Sequence, residues 1–176
     1  MIRLNKKLRK GAVEMNKLDV RIVELAPMRV VKTYGFGQQP EDEAWTKLRD
    51  WMQANGMLGE IDRHRYFGFN NPSPTPASPN YGYEQWMTVD AGVEAGEGVE
   101  IKQVPGGLYA VAQCTLDEIG EVWQQLASWR EDSEYKPGNH QWLEEALSPE
   151  LTLAPAGPGE MDISQFRLDL YLPIRK

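Results

Sequence analysis

The sequence predicts an α+β fold: a duplicated β-α-β-β module with pseudo-two-fold symmetry, forming an antiparallel curved sheet or partial barrel with two main helices outside. Three observations predict it. The pattern W-x-x-L-x-x-W occurs twice, as Trp45-Leu48-Trp51 and Trp123-Leu126-Trp129, at an offset of 78 residues. At the same offset Pro27 falls on Pro105 and Glu43 on Glu121. Around those prolines, RIVELAPMRVVKTY and EIKQVPGGLYAVAQ both read as β-rich stretches broken by one turn. Self-similarity at one fixed spacing is the mark of a repeated supersecondary unit, and elements of this kind pack as a sheet covered by helices.

In the first copy, residues 20–34 form an extended stretch. It kinks at Ala26-Pro27-Met28, because proline donates no ladder hydrogen bond. Residues 41–55 make a helix, with Pro40 suited to its start and Gly56 to its stop. Trp45, Leu48, Met52 and Asn55, with Trp51 beside them, give that helix a stripe to lay on a sheet. Residues 63–69 and 82–90 read as strands. The segment between them, NNPSPTPASPN, has four prolines in eleven residues and is irregular.

The second copy repeats the order. Residues 99–104 and 107–114 are β, hinged at Pro105-Gly106, and residues 116–130 are a helix. Leu116, Ile119, Trp123, Leu126 and Trp129 or Arg130 lie on or near one helix face. Residues 165–174 alternate Phe166, Leu168, Leu170 and Leu172 inward with Arg167, Asp169 and Tyr171 outward, the pattern of a half-buried strand. The segment 151–162 is a Pro/Gly loop. Residues 131–150 hold either a short strand or one helical turn around Trp142.

At 176 residues the chain is long enough for one domain with a real core. Residues 1–18 form a basic leader, with six Lys/Arg against one acid, and 19–176 form a single domain whose repeats run about 20–90 and 98–175. The net charge is −7, so the body beyond the leader is strongly acidic, repelling nucleic-acid phosphates and attracting cations. No run approaches the roughly 18 apolar residues of a membrane span, and the leader lacks the apolar segment of a secretory signal. The one cysteine, Cys114, has no internal disulfide partner. A cytoplasmic protein without membrane contact is expected.

Catalytic constellations are scarce. His64 and His140 sit in no ligand-spaced motif, Cys114 reads as a small buried hydrophobe, and GVEAGEGVE and VPGGLY lack any phosphate-cradle pattern. The sequence therefore offers no catalytic triad, metal site or cofactor. What it offers is six tryptophans and seven tyrosines with acids nearby, in HRYFGFN, NYGYEQWMTV and HQWLEE. The repeat tryptophans belong to the helix stripes. Tyr66, Phe69, Tyr83, Trp86 and Trp142 are open to either core or pocket.

These blocks are similar to a known family. The two W-x-x-L-x-x-W helices, RYFGFNNP, YGYEQW, GGLYAV, SEYKPGNHQWLEE and the closing LDLYLPI resemble the GyrI-like effector-binding domains, and among them the integron-associated effector-binding proteins. The resemblance spans residues 19–175. It implies a ligand cleft at the pseudo-two-fold that binds lipophilic, cationic, drug-like molecules through aromatic walls and a glutamate. In regulator-type relatives that acid lies nine residues beyond the tyrosine of a W-x-x-x-S-G-Y pattern. Trp129, Ser133 and Tyr135 match, with Glu134 in place of the glycine, which points to Glu144, with Glu145 as the adjacent alternative. The expected wall is Tyr66, Tyr83, Trp86, Tyr109 and Trp142, with Phe69. The offset of 78 also places Tyr66 against Glu144, so the two are expected to face each other across the dyad. A leader of 18 residues cannot hold a helix-turn-helix, so direct sequence-specific DNA binding is not expected. Three functions stay open: a stand-alone sensor or sequestering module, a small hydrolase using a Tyr–Glu pair, and an inhibitor of a protein partner such as gyrase.

Overall fold

The computed structural model describes residues 18–154 and 162–176. The basic leader, apart from Leu18, and most of the 151–162 segment thus lie outside the described residues. Nine strands and three α-helices follow in order: β1 (Arg21–Leu25), β2 (Met28–Gly37), α1 (Pro40–Ala54), β3 (Tyr66–Asn70), β4 (Tyr81–Thr88), β5 (Glu100–Val104), β6 (Gly107–Thr115), α2 (Ile119–Asp132), β7 (Lys136–Pro137), β8 (Leu143–Ala146), α3 (Glu150–Leu153) and β9 (Arg167–Arg175). The antiparallel sheet runs β1-β6-β9-β8-β3-β4-β2-β5 and curls into a half-barrel, with β7 pairing β9 outside that path. The fold is the α+β duplication expected.

The topology is symmetric about its middle. β3 pairs β8 with Tyr66 opposite Ala146, Phe67 opposite Glu145 and Gly68 opposite Glu144. Phe67 and Glu145 are also equivalent under the sequence offset, so the pseudo-dyad passes between them. The first strand of each repeat crosses over: β1 pairs β6, and β5 pairs β2. Both breaks, Ala26-Pro27 and Pro105-Gly106, let the chain leave one half of the sheet and enter the other.

Each main helix starts and stops for local reasons. Pro40 opens α1, and Glu41, Asp42 and Glu43 place negative charge on the positive end of its dipole. Gly56, at φ +68°, ends it in a left-handed conformation that glycine adopts without penalty. Before α2, a 3-10 turn at Leu116–Glu118 carries a reciprocal capping box between Thr115 and Glu118. Residues Leu58–Arg63 form another 3-10 turn, so the strand expected over 63–69 begins only at Tyr66. In the ambiguous 131–150 segment the strand alternative holds, as β8 immediately after Trp142.

Both sheet faces are buried, which corrects one reading. Asp169 and Tyr171, expected outward on β9, are 6% and 3% exposed. On the helix-covered face, Leu48, Met52, Tyr66, Met87, Leu126, Leu168, Leu170 and Leu172 form the main core. On the other face, Phe67, Phe69, Trp86, Tyr109, Val111, Leu143 and Tyr171 form a second apolar cluster. A curled sheet makes its own second core, and β9 lies in the middle of it.

Candidate functional site

The helix-covered face does not close over the dyad. A cavity of about 560 Å³ lies there, between the start of α1 and the start of α2. From α1 come Glu41, Asp42 and Trp45; from the α2 side come Leu116, Ile119 and Trp123. Its floor is β4 (Tyr81, Tyr83, Gln85), the end of β3 (Asn70), β8 (Glu144, Ala146) and Leu168 of β9, with Phe166 and Thr152 at one side. A second cavity of about 370 Å³ adjoins it, lined by Phe69, Ser73, Gln141 and Trp142 together with Asn70, Trp123 and Glu144, which it shares with the first.

Glu144 sits at the floor where the two cavities meet. Tyr83 Oη donates to its Oε2 at 3.3 Å and Trp123 Nε1 donates to its Oε1 at 3.4 Å. Among the described residues, no basic side chain lines either cavity. Burial raises the Glu144 carboxyl to about 7; the two hydrogen bonds pull the other way, and the charge of Glu41 adds a small upward push. Near neutrality the group is poised between acid and carboxylate, without a countercharge of its own.

Tyr83 reaches Glu144 through a gap made by glycine. A side-chain carbon on Gly68 would collide with the Tyr83 hydroxyl and ring. Burial and the neighbouring acids hold the Tyr83 phenol well above its ordinary value, so it stays a neutral donor. At the rim, Tyr81 Oη bonds both oxygens of Glu41, at 2.7 and 2.8 Å. Burial and Glu41 lift the Tyr81 phenol to about 12.

The residues expected at the site divide between the two faces. Glu144 and Tyr83 line the main cavity, and Phe69, Trp142 and again Glu144 line the second. Glu145 points to the opposite face, as the strand alternation requires. There its carboxylate takes a two-pronged contact from Arg65, 2.7 Å from Nε and 2.8 Å from an Nη, and a hydrogen bond from Tyr171. It is neutralised where Glu144 is not. Trp86 and Tyr109 belong to the second cluster; Trp86 donates to Glu84 at 2.9 Å and packs edge-on against Phe69.

Tyr66 is on the Glu144 face but does not meet it. Its hydroxyl donates to Ile61 O at 3.1 Å and its ring lies 5.9 Å from Trp45. The dyad relates Trp45–Tyr66 to Trp123–Glu144. In the first half the pair is closed and aromatic; in the second the tyrosine's place holds an acid, and space remains. The tyrosine that meets Glu144 is Tyr83.

Trp45 and Trp123, read from sequence as stripe residues, overhang the cavity from either side. Their position in the second turn of each helix, in the half nearest the seam, was the available signal. Glu41, Asp42, Asn70, Tyr81, Gln85 and Phe166 had none, since only the folded sheet brings them together.

The duplicated half-barrel is the fold of the effector-binding domains the sequence resembles. The chain belongs to the family of integron-associated effector-binding proteins, whose pattern it matches over residues 21–174. Among solved structures it is similar to the C-terminal domain of EcmrR (12% identity, TM-score 0.61, covering 90% of this chain and 98% of that one). It is also similar to a hydrolase from Listeria innocua (10% identity, TM-score 0.60, covering 90% and 93%). A third similar structure is an integron cassette protein of Vibrio cholerae (12% identity, TM-score 0.50, covering 89% and 95%). At these identities the likeness is one of fold. No curated protein sequence matches the chain significantly. No helix among the described residues is long and apolar enough to cross a membrane.

Proposed function

We propose that the protein binds lipophilic cations in the dyad cavity, with Glu144 as the countercharge, and acts as a stand-alone sensor or sequestering module. The observation that carries this reading is a cavity lined by Glu41, Asp42 and Glu144 and by aromatic rings, with no base among the described residues. Aromatic faces attract a cation through the ring quadrupole, by about 0.5–2 kcal/mol each. Trp45, Trp123, Tyr81, Tyr83 and Phe166 surround the space. A buried carboxylate without a countercharge costs free energy, and a bound cation offsets that cost.

The test is a calorimetric titration with benzyltrimethylammonium, its neutral carbon isostere neopentylbenzene, and a larger triarylmethane dye cation. Saturable binding of the cations, lost in Glu144→Gln and weak for the isostere, supports the reading. Equal binding of cation and isostere overturns it.

The Tyr83–Glu144 contact favours one alternative, a small hydrolase. A carboxyl raised to about 7 can serve as a general base, and a neutral phenol can polarise a carbonyl. Product exceeding one equivalent, abolished in Glu144→Gln and Tyr83→Phe, identifies this activity; its absence across an ester and epoxide panel removes it.

A further inference from the structure

The second cavity gives the ligand a shape. It touches the first through Asn70, Trp123 and Glu144, so the acid stands at the junction of two chambers and not at the blind end of one. The chambers differ in lining. The first has rings and aliphatic side chains together with the acids Glu41 and Asp42 and the amide of Gln85, while the second pairs Phe69 and Trp142 with the uncharged polar side chains of Ser73 and Gln141. Trp142 is 44% exposed, unusual for so large an apolar ring, and its neighbour is Trp123, with ring centroids 5.3 Å apart. The Trp123 ring thus has the acid at its Nε1 and Trp142 against its face.

We propose that the cleft selects cations whose positive centre lies between two aryl arms, the charge at Glu144 and one arm in each chamber. This deepens the cation-binding reading and rests on it. A terminally charged molecule meets the acid and fills only one chamber. A centrally charged one meets the acid and places a ring against Trp142 as well, adding aromatic contact. The second chamber's polar side chains also suit an arm carrying a hydroxyl or amide.

Two isomeric cations separate these cases, because they share composition and charge and differ only in where the charge lies. Dibenzyldimethylammonium carries it between two rings; (biphenyl-4-ylmethyl)trimethylammonium carries it at one end. Titration calorimetry on the full chain is expected to show the central-charge isomer bound about tenfold more tightly. Two variants then read the ratio of the two affinities. Ser73→Phe fills the second chamber, and Trp142→Ala strips its wall; each is expected to bring the ratio near one. Equal affinities in the wild-type protein, or an undiminished ratio in both variants, overturn the two-chamber proposal while leaving cation binding in place. Failure of both isomers to bind overturns the cation reading itself and this proposal with it.

Discussion

Gly68 and Tyr83 are a matched pair: the phenol ring occupies the volume that any side chain at position 68 would need. Gly68 is also opposite Glu144 in the β3–β8 ladder. The missing side chain therefore sets the distance between the sheet's central acid and its nearest donor. Gly68→Ala is expected to push Tyr83 aside, lower stability by about 1–3 kcal/mol as overpacking does, and weaken cation binding. Thermal unfolding and calorimetry check both effects. Tyr83→Phe added to Gly68→Ala relieves the hydroxyl's part of the clash, so the double variant should cost less than the sum of the singles.

The Glu144 carboxyl is expected to make stability fall as pH rises. An acid at about 7 in the folded chain, against an ordinary 4.5, keeps its proton when the unfolded chain has lost it. Between those values the folded state binds more protons, so each step upward in pH removes stability, roughly 2–3 kcal/mol across the window. Glu144→Gln should flatten that slope and be the more stable protein at pH 8. Denaturant unfolding at pH 5 and pH 8 tests it, and a parallel slope in both proteins would clear Glu144 of the effect.

Ligand affinity should move in the opposite direction. A cation binds the carboxylate, so below about pH 7 it must first displace a proton, and affinity should fall about tenfold per pH unit. A neutral isostere should show no such slope. Proton release on binding at pH 6.5, read as a buffer-dependent calorimetric heat, is the direct check.

Glu145 should behave unlike its neighbour. Its oxygens are taken by Arg65 and Tyr171 on the far face. Glu145→Ala leaves a buried phenol without its acceptor and half of an ion pair behind, a loss of about 2–3 kcal/mol. The cavity is on the other side of the sheet, so cation affinity in the still-folded variant should stay within about twofold of the wild type. A large affinity loss would show that the two faces are coupled.

The helices, the breaks at Pro27 and Pro105 and the duplication were legible because tryptophan and proline are rare and fell in one register. The resemblance singled out Glu144, which the structure places at the floor of the candidate cavity. The assignment of Trp86 and Tyr109 to the cleft wall was not resolvable from sequence, since β4 and β6 are buried on both faces and periodicity cannot say which buried face is the cleft. The same ambiguity set Tyr171 and Asp169 outward. Tyr66 was placed opposite Glu144 because the offset makes them equivalent. Equivalence under an antiparallel dyad puts each across from the residue two beyond its equivalent, Ala146 and Gly68, and not across from the other.

The exchange of first strands, β1 onto β6 and β5 onto β2, has a mechanical meaning. Each half is laced to the other by a ladder on either side of the central β3–β8 pairing. The halves cannot swing apart like the lobes of a clamp without unzipping hydrogen bonds at several ladders at once. A guest in the proposed dyad cavity would therefore meet a floor tied together by ladders on both sides of the central pair, with no hinge between the halves for it to open.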